Sequence, residues 1–400
     1  MSAPMGGDSP SSTRGRLSRR QAMSALAAVG FGAGLASGSP PLAAADGCPQ
    51  STQLNPDGTT PFNFHLAASE PVNHEAGSFR MVTLREMPRI DGLSIHLVDI
   101  APGGIREVHW HPNAAEINYV LQGEGVVGVL STSGDRALNT IRPGTSTFIA
   151  RGDAHFIENT GDETLTLLIG FSDPQPEHLS VSQAFPWVPA AVMEQVLDVP
   201  PGTLPAFPPR GDLAIVPQVG SSSTVDGGAP APFSAALDVL PTSEFAGGTV
   251  QALHPAAVAT LAEMTLLRLV IDPGAVREPH WHGNAGEFNF CVSGAGQIGI
   301  VAPSGESWTF VVNTGDVAFI PNNWFHYIAN IGDEPLELIA FFDDVAPSRI
   351  DLSTMTNFFP PGVLAASLDV TPETFADLPD QGTVVIAASS DDDVVASPAP

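Results

Sequence analysis

The chain has no lysine: all 15 basic residues among its 400 are arginine. That absence removes Schiff-base catalysis and the lysine-bearing phosphate loop from consideration. Cysteine is nearly absent as well. Cys48 and Cys291 can build neither a disulfide framework nor a thiolate metal cluster, and Cys291, in an apolar strand-like run, reads as a buried free thiol. Positive charge is scarce against 43 acidic residues, so the net charge of −28 leaves no basic footprint for nucleic acid or an anionic membrane. Long helical periods are also few. Instead, 39 Gly and 38 Pro punctuate short apolar runs, the texture of an all-β chain long enough for two domains with real cores.

The first 45 residues read as an export signal rather than structure. SRRQAM (18–23) carries a twin arginine, residues 22–36 are apolar, and LAAAD (42–46) offers a small-residue cleavage site near Ala45. The apolar run is too short and too rich in Gly to persist as a membrane anchor, and Asp46-Gly47 before Cys48 makes a poor site for lipid attachment. The expectation is therefore a protein exported by the twin-arginine route, periplasmic or extracellular, with no membrane segment in its mature form.

Shifted by 171 residues, the sequence matches itself without an insertion. Phe62 falls on Phe233, Gly77 on Gly248, His109 on His280, Gly123 on Gly294, His155 on His326 and Asp198 on Asp369. So long a period means two copies of one domain rather than a solenoid. Within each copy, runs such as INYVLQGEGVVGVL (117–130) read strand, turn, strand, which predicts a sandwich or closed barrel followed by a weakly helical piece. The expected division is an arm over 46–60, a first domain over 61–199, and a Pro/Gly/Ser-rich connection over 200–231. A second domain over 232–380 and a structureless acidic tail over 381–400 complete it.

The chemistry concentrates at HWHPNAAE (109–116) and its copy HWHGNAGE (280–287). In a strand, i and i+2 share a face, so His109 and His111 point the same way and Trp110 points oppositely. Glu116 returns after a turn, and His155 arrives from a later strand; His280, His282, Glu287 and His326 repeat the set. A lone histidine on an apolar strand is ordinarily a satisfied core residue, but two identical sets of three imidazoles and one carboxylate call for metal. Three nitrogen donors and one oxygen donor without thiolate favour Mn(II), or Fe(II), with open coordination positions. Folding and metal loading before export would let the cytoplasm choose Mn over more tightly binding ions. The other five histidines (His65, His74, His96, His178 and His254) do not recur and read as surface or packing residues, with His178 held open.

These residues resemble the cupin family. Gly103, five residues, HWHPNAAE, six residues and Gly123 match its first motif; Gly144 through GDAHFIEN to Asn159 matches the second, with Ala150 where Pro is usual. The second copy matches over 274–294 and 315–330, keeping Pro321 but placing Asn323 at a Gly position. The duplication, with GIREVHWH, AVREPHWH and SFRMVTLREMP, is similar to the bicupin oxalate decarboxylases over roughly residues 60 to 380. The resemblance implies two tandem cupin barrels with short helical appendages, one Mn in each, and a small dicarboxylate, oxalate, as substrate with O2 as redox partner. Oxidation and proton loss would weaken the C–C bond, CO2 would leave, and protonation of the remainder would give formate. It also implies a homo-trimer or homo-hexamer, whose contacts would cover Trp110 and Trp281.

Arg106 and Arg277, three residues before the first histidine of each pair, stand where a guanidinium could fork the free carboxylate of a dianion. The family's lid carries a Ser-Glu-Asn-Ser run whose Glu supplies the proton. Here the stretch is DPQPEHLS (173–180), with His178 at the Glu position and Glu177 beside it, either of which could be the acid. The alternative acid position in the second half is Ala340. Catalysis is therefore expected in the first barrel, with a supporting metal in the second. Two other readings stay open: oxalate oxidase, giving CO2 and hydrogen peroxide, and a germin-like or globulin-like binding or storage bicupin.

Overall fold

The computed structural model describes residues 59–208, 215–223, 232–376, 378 and 386–387. The export segment, the arm up to residue 58 with Cys48, and the tail apart from 386–387 lie outside the described residues.

Each half is a barrel of two facing antiparallel sheets. In the first half one sheet runs Val72–His74, Gly77–Val82, Ser94–Ile100, Leu165–Phe171, Glu116–Gln122 and Thr145–Ile149 in spatial order. The other runs Arg136–Ile141, Gly125–Leu130, Ala154–Asn159, Gly104–Trp110 and Leu179–Ser180. The second half repeats both sheets, and its strands Val276–Trp281, Glu287–Ser293 and Phe325–Asn330 carry the second set of candidate ligands. Helices are short appendages after each barrel, Ala190–Leu197 in the first half and Leu352–Phe358 and Pro361–Leu368 in the second. Asp198 and Asp369 end their helices in the left-handed conformation at φ 54° and 56°, a small polar residue in a place more often given to Gly.

Continuous apolar strands arise because one sheet of each barrel is buried on both faces. Ile117 and Tyr119 join a core shared by the two halves, which also takes in Leu168, Phe288, Phe319 and Phe341. Val120, one register out of phase, packs inside the first barrel with Val98, Leu167 and Ile169. Period-2 alternation therefore sorts side chains between two cores rather than between core and water. The turns are fixed by backbone. Gly123 and Gly294 sit at φ 81° and 88°, and a Cβ there would fall 2.6 Å from the Thr164 carbonyl oxygen and 2.8 Å from that of Pro335. Asn323, at the expected Gly position, adopts φ 64°, a conformation Asn tolerates better than most residues.

The halves exchange their leading strands, so the sheets cross the limits 61–199 and 232–380. Asn63–Phe64 pairs with Val317–Ala318 of the second barrel, and Ser234–Ala236 pairs with Thr145–Thr147 of the first. Two closing strands also exceed the expected boundaries. Ile215–Pro217, inside the expected connection, pairs with Gly104–Arg106, and Ile386–Ala387, inside the expected tail, pairs with Val276 and Arg277. Ile215 and Ile386 are fully buried, and an apolar residue in a polar stretch is what returns each segment to its barrel.

Phe62 carries the first exchange. It is fully buried, its ring lies 4.8 Å from Trp308 and 5.3 Å from Trp324, and its carbonyl accepts from the Phe319 N–H at 2.8 Å. Phe62→Ala is expected to cost about 3–5 kcal/mol, the usual penalty for emptying a Phe site. Urea unfolding followed by tryptophan fluorescence should register the loss in the second barrel, although residue 62 belongs to the first copy in sequence.

Candidate metal centres

In the first barrel the donor atoms of His109, His111, Glu116 and His155 lie within 4.8 Å of one another, and all four residues are buried. Two strands of one sheet supply His109 and His155, paired directly across the ladder. Glu116 opens a strand of the facing sheet, and His111 follows the end of its own. Each imidazole is oriented from behind. Nδ1 of His109 donates to the Glu107 carbonyl at 2.8 Å, that of His111 to the Glu177 carbonyl at 2.7 Å, and that of His155 to the Asp153 carbonyl at 3.0 Å. With the proton on Nδ1, each Nε2 turns a lone pair inward, as metal-ligating histidines do.

Those lone pairs meet a carboxylate. Glu116 Oε2 lies 2.9 Å from His111 Nε2 and 3.3 Å from His155 Nε2, yet neither Nε2 has a hydrogen-bond partner among the described residues. A cation at the centre satisfies all four donors at once, so the residues fit a metal ion. Burial, and then Arg106, hold His109 well below its ordinary pKa, keeping it neutral and ready to ligate.

Arg106 reaches the same interior through a backbone irregularity. In a regular strand, residues three apart face opposite sides. Here His155 pairs with His109 while Ile157 pairs with Arg106, so the His109 strand spends one extra residue between them. This bulge re-aims Arg106 inward. It is 3% exposed, its Nη1 donates to Ser180 Oγ at 3.5 Å, its guanidinium lies 5.7 Å from the Phe79 ring centre, and burial lowers its pKa to about 10. It lines a cavity of about 120 Å³ together with His109, His111 and Glu116, the apolar side chains of Val98, Ile157, Ile169 and Phe171, and the imidazoles of His96 and His178. That volume holds several water-sized groups, enough for a ligand of a few heavy atoms and small beside ordinary ligand pockets.

The second barrel repeats the donor set. His280, His282, Glu287 and His326 bring their donor atoms within 4.8 Å of one another, and their Nδ1 atoms bond to the carbonyls of Glu278, Ser348 and Trp324 at 2.8–3.0 Å. The same bulge separates Arg277 from His280. The difference lies beside the arginine. Where the first half has Ser180, the second has Asp351, buried and bonded at 2.9 Å both to Arg277 Nη2 and to Arg349 Nε. Arg277 is already engaged by a carboxylate of its own chain.

The segment expected to carry the acid is pinned at its base. Asn113 Nδ2 donates to the Gln175 carbonyl at 3.1 Å, the Glu177 N–H donates to Asn113 Oδ1 at 2.7 Å, and the Glu177 carbonyl holds His111. The Glu177 side chain is exposed and does not line the cavity; the His178 ring does, 6.5 Å from that of His111. Ala340 is fully buried at the second-half position of Ile169. Trp110 and Trp281 are half-buried within the single chain, beside Leu179 and Ile350 on the adjoining short strands. His65 bonds to Asp316 at 2.8 Å across the two halves. His96 is the residue that sequence reasoning missed. Expected to be a packing residue, it lines the cavity, and the available signal was a difference between the copies, since its counterpart is Leu267.

His96 is 5% exposed, and burial lowers its pKa from 6.5 to about 3. Below pH 6.5 the unfolded chain takes up a proton that folded His96 refuses, so stability falls as pH falls through that window. At pH 5 the penalty from this residue is ~2 kcal/mol, at about 1.4 kcal/mol per pH unit. Urea unfolding of the metal-free protein between pH 7 and 5 should show that decline, and His96→Leu should flatten it by about one proton's slope. A decline of equal steepness in both proteins would contradict the assignment.

The family described as cupin matches residues 64–200 and 234–375. The chain is 28% identical over 325 residues to the oxalate decarboxylase OxdC of Bacillus subtilis, covering 78% of this chain and 84% of that protein. It is 27% identical to a probable oxalate decarboxylase of Arthroderma benhamiae, covering 74% and 75% of the two chains. A germin-like protein of Arabidopsis thaliana matches at 33% identity over only 34% of this chain. The solved structure of B. subtilis oxalate decarboxylase at pH 4.6 superposes with a TM-score of 0.75 at 25% identity, over 85% of this chain and 89% of that one. The chain thus belongs to the cupin family, as a two-domain member similar over most of its length to oxalate decarboxylases.

Proposed function

We propose that the protein is a Mn-dependent oxalate decarboxylase that converts oxalate to formate and CO2 with O2 as redox partner, and that the reaction takes place in the first barrel. One observation carries this reading. A small cavity presents Arg106 together with His109, His111 and Glu116, three members of a complete three-His, one-Glu donor set. An anion admitted to a protein of net charge −28 needs local positive charge, and here it has both the guanidinium and the ion. His109, His111, Glu116 and His155 would hold one Mn, and His280, His282, Glu287 and His326 a second; Fe is the alternative ion. Mn(II) centres are named for the B. subtilis enzyme. Bound Mn would supply a Lewis-acidic seat for one carboxylate and an accessible second oxidation state for the one-electron chemistry.

The chain's own residues do the rest. Arg106 forks the remaining carboxylate and fixes the C–C axis. Val98, Ile157, Ile169 and Phe171 keep water from the reacting carbons. His178 is the better placed of the two candidate acids, because its ring lines the cavity while the Glu177 side chain faces solvent. In the second barrel Asp351 occupies Arg277, which supports a structural metal there. The twin-arginine segment supports export to the periplasm or the extracellular space. Assembly into a homo-trimer or homo-hexamer is supported by apolar residues of the appendages left in water, among them Trp187 at 88% and Phe358 at 78% exposure.

Mn-loaded protein incubated with oxalate under air should release formate and CO2. Arg106→Gln should lower kcat/KM roughly ten- to hundredfold, the worth of one or more charge-assisted hydrogen bonds. Peroxide without formate would make the protein an oxidase, and neither product would move it to the binding or storage class.

A further inference from the structure

One polar group in the first cavity has no part in the proposed reaction. His96 lies mid-strand in Ser94–Ile100, between Met81 and Ile169 on the flanking strands. Its ring packs 4.7 Å from Phe171, and its buried Nε2 has no hydrogen-bond partner among the described residues. An unpartnered imidazole nitrogen inside an apolar barrel is an unmade hydrogen bond, which burial makes costly. The fold does not require it. In the second barrel the same register reads Ala252, Leu267 and Ala340, and that barrel closes with Leu where the first has His. The chain thus keeps this unsatisfied atom in the half that has Ser180 where the other has Asp351 on its arginine, and the atom's ring lines the same cavity as Arg106, His109, His111 and Glu116.

We propose that His96 is a specificity-determining, positioning residue: its neutral imidazole hydrogen-bonds through Nε2 to the carboxylate that Arg106 grips, so that the cavity selects a dianion with two adjacent carboxylates. This rests on the oxalate reading. The two donors act from different sheets, Arg106 from Gly104–Trp110 and His96 from Ser94–Ile100, and together define both the distance and the roll of the second carboxylate. A monocarboxylate seated on the metal would have no second carboxylate to offer either donor. Leu267 in the second barrel offers no such contact.

The test compares the Mn-loaded wild type with His96→Leu, which installs the second barrel's own residue, and His96→Gln, which restores a donor of similar reach. Oxalate affinity is measured by calorimetry with oxygen excluded, so that nothing is turned over, and acetate serves as the one-carboxylate control. Mn content and melting temperature are recorded for each protein, and His96→Phe replaces His96→Leu if that variant does not fold. We expect oxalate to bind His96→Leu at least tenfold more weakly, with a matching rise in KM, while acetate affinity and Mn content stay within about twofold. His96→Gln should recover most of the loss. Wild-type oxalate affinity in His96→Leu, or equal weakening for acetate, would overturn the role of His96 while leaving the decarboxylase reading in place. A wild type that ignores oxalate altogether would overturn both.

Discussion

Three imidazole lone pairs and a carboxylate are buried against one another in each barrel, and nothing else among the described residues is as demanding. In water such groups would hydrate separately; inside a β-barrel they must share a proton or a cation. The backbone leaves little choice between the two. By taking each Nδ1 proton on a carbonyl oxygen, it forces every Nε2 to present a lone pair to the centre. Strand pairing at His109–His155 and His280–His326 sets the spacing, and the two segments that follow the barrels supply the carbonyls behind His111 and His282. Sheet register, turns and appendages all serve this convergence.

What separates the two halves is the ground beside the ion. The first has Ser180, His178 and His96; the second has Asp351, Arg349 and Leu267 at the same three places. With those exchanges Arg277 is held by a carboxylate of its own chain, where Arg106 meets the hydroxyl of Ser180. Duplication preserved the donors twice, and specialisation occurred in the residues that face whatever the donors hold.

The ligand sets were legible because chemistry and repetition agreed: HWH with a carboxylate five residues on, recurring at a fixed offset, is a pattern that core packing alone would not produce twice. Barrel class was legible from short apolar runs and their turn glycines. Arg106 was picked out by its place three residues before His109, but the bulge that turns it inward was not legible, since strand alternation alone would point it outward. The exchange of leading strands escaped too, since Phe62 and Phe233 look alike and sequence does not say which barrel each enters. Ile215 and Ile386 were single apolar residues in polar stretches, too faint a pattern to read as strands. His96 escaped because the ligand sets are found by what the copies share, whereas its signal was that Leu267 replaces it.

The central claim is that each donor set exists to hold a redox-capable cation. Elemental analysis of protein folded and exported in Mn-rich medium tests it most directly. The account predicts close to two equivalents of Mn per chain, falling to about one when His280 and His282 are replaced by Ala. Protein that is fully active with both sites holding Zn would contradict it, because Zn offers no second oxidation state.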